Sequence, residues 1–405
     1  MRGVYYTGID IGSTNIYIAV GRKNEKKNQE IIGACCSPSF GIKEGMVVSI
    51  ENTITSISRA IREAETVSDT QIKAVTVGIK GQHIESYNHE SAIMISRTDK
   101  EICDEDVKRV MDNARVVRIP TEKEIIHIIP QGYTVDAQRG VENPVGMEGT
   151  HLIAKVQLVF GMSNAINNVV KCINRSGLGC SRTILGILAA SDIVVTREEK
   201  DLGCILIDIG GQTINLAIFS DGYLQFIKQL PIGGDMITRD IARVCRVLPS
   251  EAKRIKESFG NADAKMVLED QVITTIGIDN ISQVKVSEKN LADIIEARIR
   301  EILGYIKDEI RNTNYENLVS SGAILIGGCS MLNGIKDLTE NILGMPVHIG
   351  IPHSVTGVNA VTESPLYATA LGLVKYADED IETLIKEKAS KGFLSKLKSM
   401  LDRVF

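Results

Sequence analysis

The chain is 405 residues long, 43% hydrophobic, with a formal net charge of −5. That suffices for two large lobes and argues against a general nucleic-acid binder, a class with a clear basic excess. Its eight cysteines lack Cys-x-x-Cys spacing and read as buried thiols of a reducing cytoplasm, not zinc ligands. With no charged-then-apolar leader pattern and no apolar run of the ~18 residues a spanning helix needs, the expectation is a chain neither secreted nor transmembrane.

The first element, Tyr6 to Val20, reads apolar, then Ile9-Asp10-Ile11-Gly12-Ser13-Thr14-Asn15, then apolar again through Ile16, Ile18 and Val20. β-branched runs around a short turn predict a hairpin whose glycine takes φ > 0 and whose amides face outward. Outward amides and small hydroxyls suit phosphate oxygens, while a carboxylate such as Asp10 suits a hydrated Mg²⁺. Ile31 to Cys36 predicts a strand, and Gly41 and Gly45 bracket a turn. Ile50, Ile54, Ile57, Ile61 and Ala64 recur at helical spacing behind a Ser49 cap, and Ile72 to Ile79 alternates as a strand. Strand-helix-strand order gives a mixed sheet with helices on its faces.

Residues 82 to 162 form a small α+β unit. Its expected strands are Ala92 to Ile95, Ile125 to Ile129, Gly132 to Val135 and Leu152 to Phe160, with a helix from Glu105 to Asn113. Helices return from Asn164 to Ser191, with a strand at Ile184 to Leu188.

From Cys204 to Phe219 the first pattern recurs, as Ile207-Asp208-Ile209-Gly210-Gly211-Gln212-Thr213-Ile214 followed by Leu216, Ile218 and Phe219. One such hairpin is common without a ligand. Two suggest a duplicated domain whose phosphate-gripping turns face each other across a cleft. Helices are expected at Met236 to Arg246, Glu251 to Phe259 and Leu291 to Ile310, with strand or loop over Val272 to Val286. Ala323 to Met331 is a buried strand running into Gly327-Gly328, where glycines permit close backbone approach to a flat ligand.

These three elements, in this order, resemble the actin-like ATPase superfamily, from the first strand to about residue 376. Asp10 to Asn15 match its first phosphate loop, Asp208 to Thr213 its second, Gly327-Gly328 its adenosine loop, and Ser364 to Leu373 its closing helix. The resemblance implies ATP and Mg²⁺ as cofactors. Gly12, Ser13, Thr14, Asn15, Gly210, Gly211, Gln212, Thr213, Lys256, Gly327, Gly328 and Met331 would line the nucleotide, and Asp10 and Asp208 would hold Mg²⁺ through water. Lys256 matches a ribose-contacting Lys, whereas Lys253 stands at the matching Glu position. Gly186 stands where hydrolysing relatives carry Glu, Asn215 where Asp is frequent, and Gln212 where a small residue is usual, so no catalytic residue is assigned and hydrolysis is expected to be slow.

The insertion, notably Ile128-Ile129-Pro130-Gln131-Gly132-Tyr133-Thr134-Val135-Asp136 and Asn143-Pro144-Val145-Gly146-Met147, resembles that of the FtsA family of bacterial cell-division proteins. The fold class implied is α/β: an actin-like two-lobed ATPase fold of duplicated ribonuclease H-like domains, an inserted α+β subdomain and a C-terminal amphipathic helix. The first lobe would take 1–81 and 163–201 with the closing helix 350–376; the insertion would take 82–162. The second lobe would take 202–349, its outer part being about 236–310.

Residues 377–390 set five acids against two lysines, net −3, and read as a solvated linker; residues 391–405 set Lys391, Lys396, Lys398 and Arg403 against Asp402, net +3. Phe393, Leu394, Leu397, Met400, Leu401, Val404 and Phe405 share one side of a helical wheel, opposite most of the cations. This is the pattern of an in-plane helix on an anionic membrane; a helix docked on the protein's own core fits the periodicity equally well. In the resembling family such a helix places the protein on the inner face of the cell membrane at the division site. It tethers the tubulin-like FtsZ there through the C-terminal peptide of FtsZ, assembles head to tail with itself and recruits later division proteins. The alternatives are a cytoplasmic adaptor of pilus assembly resembling PilM, a sugar-kinase-like phosphotransferase, and a chaperone ATPase, which would need a large domain after the closing helix.

Overall fold

The computed structural model describes residues 5–23, 29–268 and 271–377; the acidic linker beyond residue 377 and the amphipathic segment lie outside them. Two sheets repeat one plan. In the first, Gln29–Pro38, Asn15–Lys23 and Tyr5–Ile11 pair antiparallel, and Ala74–Ile79 and Gly179–Leu185 extend the sheet in parallel beyond Tyr5–Ile11. The second has Tyr223–Leu230, Ile214–Ser220 and Cys204–Ile209 antiparallel, then Ala323–Ile326 and Val347–Ile349 parallel. The shared order is what duplication of one domain produces. The strands between two helical layers are almost wholly buried, as in IleAspIle of both copies.

The helix Ile50–Ser68 starts at Ser49, whose side chain accepts from the Asn52 amide, and covers one face of the first sheet through Ile57, Ala60 and Ile61. Residues 368–377 are helical and cover the other face. That helix comes so close that a Cβ on Gly8 would lie 2.3 Å from the Ala370 carbonyl oxygen, and one on Gly372 2.0 Å from that of Ala189. The expected closing helix of 350–376 is therefore shorter, since Thr356–Gly357 first adds an edge strand to the first sheet and Asn359–Thr362 forms a separate helical turn.

Three other expectations are corrected. The strand placed at Ile184 to Leu188 ends at Leu185, and Gly186–Val194 is a helix. That helix touches strands of both sheets and is buried almost all round, so the apolar run carries no strand-or-helix period. In the insertion, Ile125 to Ile129 and Gly132 to Val135 belong to one strand, Lys123–Val135. Pro130 is carried by a register shift against Ala154 and Val156, where an extra residue absorbs its missing N–H. Finally, Cys35, Cys172, Cys204 and Cys329 are buried, but Cys36 is exposed and Cys103, Cys180 and Cys245 are intermediate.

The insertion is a sheet ordered Glu85–Met94, His151–Met162, Lys123–Val135, Gln138–Val141 with the helix Asp104–Asn113 packed on it. It meets both lobes. His127 Nε2 accepts the Leu185 amide at 2.9 Å at the end of a first-sheet strand. Gln131 and Gln157 donate to the Leu224 and Gln225 carbonyls, at 2.6 and 3.1 Å, on the edge strand of the second sheet. The second lobe's outer part carries the helices Asp235–Cys245, Pro249–Phe259 and Glu288–Arg311, and Val272–Ile276 pairs with Gln283–Ser287 as a hairpin.

Candidate functional site

Each Ile-Asp-Ile strand runs into a turn closed by the same hydrogen bond: Gly12 N–H to the Asn15 carbonyl at 3.0 Å, and Gly210 N–H to that of Thr213 at 2.9 Å. The amides of Ser13, Thr14, Gly211 and Gln212 have no backbone acceptor among the described residues. This is the donor arrangement that suits an anion. The glycines are not used for positive φ as expected, because neither Gly12 nor Gly210 lies in that region. Space is what requires Gly12 and Gly211: a Cβ on Gly12 would lie 2.6 Å from the Asn15 carbonyl oxygen, and one on Gly211 2.0 Å from Thr14 Oγ1 across the cleft. Positive φ is used instead at Gly327 (φ 84°), where a Cβ would lie 2.4 Å from Asp208 Oδ1; Gly328 has open space.

The two turns, the Gly327-Gly328 loop, Met331 and Lys256 surround one cleft of about 600 Å³, which brings together all fourteen residues expected at the nucleotide and Mg²⁺. Several of them are already engaged by protein partners. Lys256 Nζ donates to the Gly234 carbonyl at 3.2 Å and Thr238 Oγ1 at 2.9 Å. Gln212 Nε2 donates to Asp235 Oδ2 at 3.0 Å, and its Oε1 accepts the Glu44 amide at 3.2 Å. The Thr14 hydroxyl also donates to Asp235, at 3.3 Å. Gln212 is thus a strut between lobes, with Gly81 N–H bonded to Gln229 Oε1 as another crossing. Asn215 Nδ2 holds Asp208 Oδ2 at 2.8 Å. The amphipathic residues from Phe393 to Phe405 lie outside the described residues.

Sequence reasoning missed four contributors: Lys80, Asp235, Glu44 and Glu257. Glu257 also lines the cleft, one helical turn beyond Lys253. Lys80 is the most consequential. It follows the parallel strand Ala74–Ile79, which pairs Gly78 with Asp10, and its Nζ sits 2.7 Å from Asp10 Oδ1. Burial acts to depress its ammonium, but the Asp10 and then the Asp208 charges overcome that and hold it above the ordinary lysine range. Burial pushes the Asp208 carboxyl up, with Lys80 pulling it back. The usable signal was a lone Lys at the C-terminal end of an apolar parallel strand, the edge where open α/β sheets place ligands.

An oxygen-only pair of carboxylates suits a hydrated Mg²⁺. The Asp10 Oδ1 atom is buried, and the Lys80 ammonium at 2.7 Å is its partner. No cluster of three or more metal-ligating side chains occurs among the described residues.

Comparison with known proteins agrees with this geometry. Residues 205–372 match the model of the cell division protein FtsA, and residues 81–160 match the SHS2 domain inserted in FtsA. The chain is similar to FtsA of Pseudomonas aeruginosa, 38% identical over 374 residues covering 92% of this chain and 89% of that protein. It is 33% identical to FtsA of Neisseria meningitidis over 99% of both chains. Among solved structures it resembles the PilM–PilN pilus biogenesis complex (TM-score 0.66, 18% identity, covering 92% of this chain and 98% of that one). It also resembles MreB5 of Spiroplasma citri bound to AMPPNP (TM-score 0.54, 14% identity, covering 96% and 98%). At those identities the likeness concerns the actin fold alone. The near-full-length identity is of another order, and by it this chain belongs to the FtsA family of actin-like cell-division proteins.

Proposed function

We propose that the cleft binds ATP with Mg²⁺ and that the protein works as a membrane-bound, self-assembling tether for FtsZ. The carrying observation is the pair of identically closed turns facing each other, each with one aspartate at its base. MreB5 of this fold has been solved with AMPPNP and with ADP, which supports a nucleotide here. Ser13, Thr14, Gly211 and Gln212 would donate to phosphate oxygens, and Asp10 and Asp208 would hold the cation's water shell. Mg²⁺, when bound, neutralises phosphate charge. Turns gripping one ligand from both sides draw the lobes together and fix the surfaces that meet in a head-to-tail polymer. Gly186 brings no side chain to orient water and Asn215 is spent on Asp208, so the expected output is assembly with slow hydrolysis; rapid multiple turnover would contradict it.

The amphipathic sequence 391–405 supports an anchor on the cytoplasmic face of the membrane. A polymer presents many such weak anchors together, so avidity rises steeply with assembly. The FtsZ C-terminal peptide would dock on the outer second lobe, about 236–310, where Ile276, Ile278 and Ile281 are exposed. The test is co-sedimentation with anionic liposomes, comparing the full chain with one ending at Ser390, with and without Mg-ATP. The full chain should pellet, more so with Mg-ATP, and the shortened chain should not. Equal behaviour of the two removes the anchor.

A further inference from the structure

Lys80 raises a question that nucleotide binding alone does not answer. Its ammonium is buried, 2.7 Å from Asp10 Oδ1, and it feels the Asp208 charge as well. A positive charge thus already sits against Asp10 and within the influence of Asp208, the two carboxylates a cation would use. The other charged groups lining this part of the cleft are Asp235, held by Thr14 and Gln212, and Lys256, held by Gly234 and Thr238. Neither Asp235 nor Lys256 is bonded to Asp10 or Asp208.

We propose that Lys80 is a built-in counter-ion of this site, doing for Asp10 and Asp208 what a divalent cation does elsewhere, so that nucleotide phosphates can enter without Mg²⁺. The inference rests on the nucleotide reading of the cleft. Two bare buried carboxylates repel a polyphosphate and need a metal to bridge them. With an ammonium paired to Asp10 that repulsion is about half cancelled before the ligand arrives, and the same Nζ can turn its remaining protons toward a phosphate oxygen. Mg²⁺ then adds to a site already half neutralised. Its contribution to nucleotide affinity is correspondingly small.

The test is the affinity of a fluorescent ATP analogue, measured in Mg²⁺ and in EDTA. For the unaltered protein the two dissociation constants should lie within about tenfold of each other. In Lys80→Met, which keeps most of the side chain's length and removes its charge, the ratio should widen by at least about tenfold, because affinity collapses mainly in EDTA. A widening below that, or an equal loss with and without Mg²⁺, overturns the proposal. Should Lys80→Met fail to fold, the unaltered protein still decides: a fall of more than about tenfold on removing Mg²⁺ overturns it, and a smaller one supports it. If the unaltered protein binds the analogue in neither condition, the nucleotide reading itself falls, which is a different result.

Discussion

Single atoms set the tolerance of this cleft. Gly327 adopts φ 84° and ψ −179°, a conformation essentially reserved for glycine. Gly327→Ala adds about 1–3 kcal/mol of backbone strain and drives a methyl into Asp208 Oδ1. The expected outcome is a lowered unfolding midpoint together with a loss of nucleotide affinity of at least about tenfold, read by thermal melts and analogue binding; unchanged affinity would remove Gly327 from the site. His127 makes a pH prediction. Burial lowers its pKa from 6.5 to about 4, so it stays neutral and accepts the Leu185 amide. The stability this carries is complete above pH 6.5 and is lost as pH falls toward 4, about 3 kcal/mol in all. His127→Gln does not titrate and should lose about 2 kcal/mol less than the parent between pH ~6.5 and ~5, in denaturant titrations at each pH. Equal slopes would mean that His127 is not held neutral. Asp10 and Asp208 were legible because each stands alone in an apolar run repeated at two places. Lys80 was harder to see: a lone lysine at the C-terminal end of an apolar strand marks an edge where ligands sit, but only the parallel pairing sets it beside Asp10.

Elements were read well where one face is wet and poorly where none is. The helix Ile50–Ser68 announced itself through its spacing and its Ser49 cap. The helix Gly186–Val194 could not, since Ile187, Ala189, Ala190, Ile193 and Val194 leave almost no exposed face to mark a period. The turn strut is also beyond sequence: nothing in Gly-Gly-Gln-Thr says that the glutamine reaches Glu44 and Asp235 rather than a phosphate. Gln212→Ala removes two hydrogen bonds, one of them spanning the lobes, each contributing about 1 kcal/mol. In the nucleotide-free protein, amide exchange at residues 12–15 and 210–213 should quicken several-fold, as measured by mass spectrometry. Unaltered exchange would show that the strut does not hold the lobes.

At the scale of the whole molecule, duplication was visible from the recurring Ile-Asp-Ile-Gly motif, and both sheets bear it out in one shared order of five strands, to which the first sheet adds the edge strand Thr356–Gly357. How the insertion is seated was not visible. Gln131 and Gln157 look like ordinary strand residues until the edge strand Tyr223–Leu230 supplies their acceptors. A double change, Gln131→Leu with Gln157→Leu, takes away these glutamine bonds to the second lobe while leaving the insertion's own core intact. Limited proteolysis should then release a fragment near residues 81–160 sooner than from the parent; identical digestion would place the seating elsewhere.

The helix of residues 368–377 has a consequence for the order of events during synthesis. It covers a face of the first sheet, against Gly8, Gly21 and Gly78, yet it is made more than 280 residues after the last of those glycines. The second sheet, by contrast, is contiguous from Cys204 to Ile349. A ribosome adding roughly 5–20 residues per second therefore releases a complete second lobe while the first still has one bare apolar face and lacks Thr369, part of the cleft wall. The lobe that begins the chain is the last to be finished, and the cleft wall stays incomplete until that helix docks.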